Sequence, residues 1–138
     1  MKIAFWSYYE QNCTDLEMFF TPDSSVANGI FKKWNTLYNR CLEECIEIIA
    51  LDKVTEFDDV SFIVFSDFPR LNNPLVKKSL RSKIPKILII EEGPLVHANN
   101  WKVENHKYFD FIFTWNDDLI DNIKYIKFNV HYIEKNHV

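Results

Sequence analysis

Glycine is nearly missing from this 138-residue chain, with Gly29 and Gly93 the two present. A phosphate-binding βα loop needs several glycines, because only backbone without Cβ atoms lets successive N–H groups close around a phosphate. No GxGxxG and no P-loop can be built from this stock, so dinucleotide binding is not expected. Cysteine is scarce and odd in number, at three, with no Cys-x-x-Cys. Cys41 and Cys45 fall four apart on one predicted helix face and read as buried, reduced thiols. The four histidines, His97, His106, His131 and His137, show no His-x-x-x-His pairing and no cysteine beside them, which leaves a metal site weakly supported. Sixteen basic residues face twenty acidic ones, and the net charge of −4 weighs against a large nucleic-acid surface. The apolar runs stop at about five or six residues, far short of the ~20 of a membrane span. The N-terminal MKIAFWSYY lacks a signal-peptide pattern, so the expected location is a reducing cytoplasm, which leaves room for peripheral attachment to a membrane.

What the chain does have is aromatic side chains, 16% of all residues, on a hydrophobic content of 47%. That is enough for a core with aromatics left over for a binding face. Continuous apolar runs recur at Ile3–Trp6, Ile46–Leu51, Val60–Phe65, Lys86–Ile90 and Phe109–Trp115, and a more alternating candidate spans Ile123–Ile133. Runs of this kind are strands buried on both faces, the mark of a parallel sheet covered by helices. Between the first two, Val26, Ile30, Trp34, Leu37, Tyr38, Cys41, Leu42 and Cys45 recur at helical spacing, with Ser24 or Ser25 as N-cap. A shorter helix is predicted over Pro74–Ser82 after Asn72-Asn73, and a helical turn or two over Asn100–Phe109. The alternation predicts one α/β domain over residues 1–138, Rossmann-like and three-layered, with a mostly parallel sheet and right-handed crossovers.

Ligands of such sheets sit beyond the carboxyl ends of the strands. Three polar clusters fall there: Ser7–Glu10, Ser66–Arg70 and Glu91–Asn100. Adjacent in sequence, Glu91 and Glu92 point to opposite sides of a strand end, so one can face the rim. A partly buried carboxylate there suits a general base; two solvated glutamates closing a strand would look the same. His97, His106, Trp101, Asn105 and Tyr108 offer ring faces and hydrogen-bonding groups of the kind that hold sugars, and could equally pack the segment onto the sheet. Trp115, Asp117 and Asp118 close the next strand, where the aspartates fit a turn cap as well as any chemistry.

The stretch Lys86–Asn129 resembles the end of the N-terminal domain of family 10 glycosyltransferases, the α-1,3/1,4-fucosyltransferases. The resemblance is carried by the E-x-P at Glu92-Gly93-Pro94, by NW…ENHKYFD over Asn100–Asp110, and by FTWNDDLIDNIKYIKFN over Phe113–Asn129. KIAFWSYY at the start and FSDFPR after the third strand fit the same layout more loosely. The resemblance implies one half of a GT-B fold that holds a glycan acceptor, with GDP-fucose as donor substrate bound by a second domain. It implies Glu92 as the general base of an inverting transfer, Glu91 as its substitute, and Tyr8, Tyr9, His97 and Trp101 on the acceptor side. No counterpart of a donor domain follows Asn129, so the expected partners are a glycan acceptor and either a donor-domain polypeptide or a second copy of the chain. The alternative is a non-catalytic glycan- or protein-binding module, or a truncated remnant.

Overall fold

The computed structural model describes residues 1–9, 16–20 and 32–129. Six strands form one sheet: β1 (Lys2–Ser7), β2 (Glu47–Ala50), β3 (Phe62–Ser66), β4 (Lys86–Ile89), β5 (Phe111–Thr114) and β6 (Tyr125–Lys127). Their order is β2-β1-β3-β4-β5-β6 and every pairing is parallel. The expectation of a Rossmann-like α/β domain holds. The order reverses between β1 and β3, and at such a switch point the connections leave to opposite faces, opening a crevice at the strands' carboxyl ends. Ser7 of β1 is in register with Ser66 of β3 there.

Side-chain alternation sends each strand into two cores. Phe5, Ile48, Ala50 and Val64 face one side, where Phe19 of α1 (Glu17–Phe20) and Trp34 and Cys41 of α2 (Lys32–Glu43) cover them. Phe5, Phe19 and Trp34 meet edge to face with centroids 5.0–5.8 Å apart, the favoured geometry for aromatic pairs. Ala4, Trp6, Ile63, Phe65, Leu88, Ile90 and Ile112 face the other side, against Val76 of α3 (Pro74–Arg81), Leu51, Phe68 and Phe109. Burial on both faces is why the strands read as unbroken apolar runs.

The cap of α3 is the one anticipated from sequence. Asn73 accepts hydrogen bonds from the backbone N–H of Leu75 and Val76, and Pro74 starts the helix. Elsewhere the expectations need correction. The helical turns expected over Asn100–Phe109 are present as two 3-10 turns, Ala98–Trp101 and Val103–Tyr108, that start two residues earlier. Cys45 is exposed, not buried, because α2 stops two residues before it. It takes the left-handed conformation (φ 56°), with Ile46 N–H donating to Cys41 O and Cys45 N–H to Leu42 O, a Schellman ending that turns the side chain outward. Leu37 and Leu42, assigned to the apolar helix face, are 40% and 54% exposed. The proposed cap at Ser24 or Ser25, the start of the long helix and the last strand beyond residue 129 lie outside the described residues. Among the described residues no helix is long and apolar enough to cross a membrane.

Candidate functional site at the carboxyl rim of the sheet

The rim is organised by Asp67, the first residue after β3. Its side chain is buried and its backbone is left-handed (φ 61°), a conformation that costs any residue with a Cβ and that Asp tolerates better than most. That backbone turns the carboxylate across the end of β4. Oδ1 accepts from the N–H groups of Glu91 (2.9 Å) and Glu92 (3.0 Å) and from the side-chain amide of Asn100 (2.6 Å). Asn100 is fully buried. Its Oδ1 accepts from Phe68 N–H at 2.6 Å, and its amide also donates to the carbonyl of Glu92 at 3.3 Å. The Trp101 indole N–H donates to the same carbonyl at 3.0 Å. The peptide groups around Glu92 are thus held from both sides by residues of two other segments.

The two glutamates diverge as strand geometry requires. Glu91 follows Ile87 and Ile89 to the α2 side, where Oε2 pairs with the Lys33 ammonium at 2.6 Å. Its other oxygen, Oε1, is buried without a hydrogen-bond partner. Burial raises the Glu91 pKa and outweighs the opposing pull of Lys33; the charges of Asp67 and Glu92 add to the rise. Glu92 points to the rim, half-buried, and its Oε1 lies 3.4 Å from the hydroxyl of Tyr9. Burial, and then the Glu92 charge, push the Tyr9 phenol up from its ordinary pKa, so it stays a hydrogen-bond donor to that carboxylate.

The other candidates fall into two groups. Tyr8 and His97 stack with ring centroids 4.0 Å apart. His97 is buried, and its Nε2–H donates to the carbonyl of Phe68 at 2.8 Å, which makes it a wall of the site and fixes the loop after β3. Tyr8 carries the Arg70 guanidinium over its ring at 5.1 Å, and these residues border a cleft of about 350 Å³ reaching Asn99, Lys102 and Asn105. Trp101, bonded to the Glu92 carbonyl, is edge-on to Trp115 at 5.0 Å, and Trp115 is 37% exposed. Tyr8, Tyr9, Glu92, Trp101 and Trp115 therefore occupy one rim. His106 does not join them; it is buried, donating from Nε2 to Asn100 O and accepting at Nδ1 from the Tyr125 hydroxyl. Asp117 pairs with Lys127, and the cap of its turn is Asn116, which accepts from Asp118 N–H. Among the described residues no group of three His, Cys, Asp or Glu side chains could hold a metal ion.

The Asp67–Asn100 clamp is what sequence reasoning missed. Both residues lay in clusters assigned to the rim, but their contact spans 33 positions, and the only local sign was a polar pair, Ser66-Asp67, closing an apolar run. Compared with family models, curated proteins and solved structures, the chain matches none.

Proposed function

We infer that the chain is the acceptor-side half of a fucosyltransferase-like glycosyltransferase, with Glu92 as its general base. The observation that carries this reading is the contrast between the two glutamates. Glu91 is committed to Lys33, whereas Glu92 presents its carboxylate at the rim on a backbone clamped by Asp67, Asn100 and Trp101. A general base has to be held within hydrogen-bond reach of the proton it removes, and such a clamp supplies that rigidity. In the transfer, Glu92 takes the proton of an acceptor hydroxyl as that oxygen attacks the anomeric carbon of GDP-fucose. The bond from that carbon to the diphosphate breaks, its electron pair leaves with GDP, and the configuration inverts. Binding of the nucleotide belongs to a second domain in this reading, in keeping with a chain of two glycines that offers no phosphate loop.

The test is turnover in an assembly that pairs the chain with a GDP-fucose-binding domain. Glu92→Gln should lower turnover by about 10²–10⁴-fold while Glu91→Gln leaves most of it. Equal losses, or a loss confined to Glu91→Gln, would overturn the assignment. A second reading, a glycan-binding module without turnover, is favoured by Trp115, 37% exposed and edge-on to the half-buried Trp101, because its ring can stack on a sugar without any chemical step. Under it, glycan binding survives Glu92→Gln and no donor domain gives turnover.

A further inference from the structure

Positive charge is unevenly placed in this acidic chain. Between Phe68 and Ile90 stand Arg70, Lys77, Lys78, Arg81, Lys83 and Lys86, with no Asp or Glu among them. Lys86 is buried, and its ammonium is held by the carbonyls of Ser82 (2.9 Å) and Ile84 (2.6 Å). The remaining five are exposed. On α3, Val76 and Ser79 are buried, which leaves Pro74, Lys77, Lys78 and Arg81 as the outer stripe at i, i+3, i+4 and i+7. Among the described residues none of these three cations has a carboxylate within ion-pair distance; the ion pairs lie elsewhere.

Beside the stripe lies Phe57, half-buried in the turn Phe57–Asp59, with the Lys78 ammonium 5.2 Å from its ring centre. Phe57, Pro74, Lys77, Lys78, Arg81 and Ser82 line a groove of about 490 Å³ along the helix. Like charges at i and i+4, as in Lys77 and Arg81, weaken a helix, and an anion seated between them reverses that effect.

We propose that this groove docks an acidic peptide segment, with carboxylates on Lys77, Lys78 and Arg81 and an apolar side chain against Phe57. Charge complementarity selects the occupant. Glu56, Asp58 and Asp59 are exposed on the two sides of Phe57 in sequence, so a flat anionic bilayer or a continuous phosphate backbone would meet three carboxylates together with the cations. A short peptide lying in the groove meets the cations and the ring. The site is remote in role from the Glu92 rim and does not depend on any transferase activity.

The experiment is fluorescence anisotropy of the whole chain with a labelled octapeptide of six glutamates around a central Leu-Phe pair. Vesicles containing phosphatidylserine and a single-stranded oligonucleotide serve as competing probes. Saturable binding that weakens with added salt is expected. Lys77→Glu/Arg81→Glu should weaken it by about tenfold or more, and Phe57→Ala by several-fold, while Lys32→Glu on α2, which covers the other face of the sheet, leaves it unchanged. Lys77→Gln/Arg81→Gln, which removes charge without reversing it, should show the same direction and guards against a folding defect in the first variant. Absence of saturable binding, or wild-type affinity in both double variants, would overturn the proposal. Tighter binding of vesicles or oligonucleotide than of peptide would overturn it too, and would give the groove to that other polyanion.

Discussion

Substituting Asp67 should damage the fold in a graded way that separates its hydrogen bonds from its backbone strain. Asp67→Ala removes the acceptor shared by Glu91 N–H, Glu92 N–H and the Asn100 amide. Hydrogen bonds to a charged group are worth roughly 1.5–3 kcal/mol each. Glu91 and Glu92 are half-buried, so their freed N–H groups regain some water, whereas the Asn100 amide stays sealed. A net loss of about 4 kcal/mol follows, because rehydration offsets part of the sum. With an unfolding entropy of about 2.1 cal/mol/K per residue, that lowers the Tm of a 138-residue chain by roughly 14 °C. Asp67→Gly loses the same acceptor but relieves the left-handed backbone, so it should be less harmful by about 1 kcal/mol. Asp67→Asn keeps an acceptor oxygen and tolerates φ 61°, losing only the charge, at about 1–2 kcal/mol. Urea unfolding of the three variants, read at constant m-value, gives the comparison. An alanine variant within about 0.5 kcal/mol of wild type, or one more stable than the asparagine variant, would refute the clamp.

Two further perturbations probe the same rim. Asn100→Asp places a carboxylate where an amide now sits 2.6 Å from Asp67 Oδ1. The folded variant must hold a proton between the two groups, so its deficit of about 2–4 kcal/mol at pH 7 should shrink as the pH falls. Urea midpoints at pH 7 and pH 5 check this, and a pH-independent deficit would contradict it. Glu91 titrates with a raised folded pKa, so between its unfolded and folded values the native state holds more protons and stability declines as pH rises. In Glu91→Gln that component of the decline should be absent, seen as a flatter stability profile from the ordinary glutamate range upward. An unchanged profile would mean that the carboxylate is not desolvated.

The strands were legible because burial on both faces leaves a local trace, an apolar run, whatever the strand's neighbours. The α3 cap was legible for a similar reason: Asn73, Pro74 and the N–H groups they serve lie within three residues. The order of the strands was not legible, since pairing β1 between β2 and β3 is a contact among segments tens of residues apart. Leu37 and Leu42 misled because helical spacing marks a face but not its partner, and that part of α2 has exposed side chains among the described residues. Tyr8, Tyr9, Glu92 and Trp101 do share a rim, as their positions after strands implied. His97 lies beside Tyr8 with its ring buried and bonded to Phe68 O, a contact that no local pattern signals. Which glutamate faces the rim depended on Lys33, a residue 58 positions from Glu91 that no local pattern links to it.

The central claim is that this rim receives a glycan and not a nucleotide sugar, and the four tryptophans allow it to be read directly. Trp6 and Trp34 are 5% and 4% exposed, whereas Trp101 bonds the Glu92 carbonyl and meets Trp115, which is 37% exposed. Indole N–H resonances should be followed during separate titrations with a neutral oligosaccharide such as lactose and with GDP-fucose. The account predicts that the sugar shifts the Trp101 and Trp115 signals, leaves Trp6 and Trp34 in place, and does so equally in Glu92→Gln, while GDP-fucose moves none. Saturable shifts with GDP-fucose in the micromolar range, about −8 kcal/mol of binding, with no response to the oligosaccharide, would contradict it.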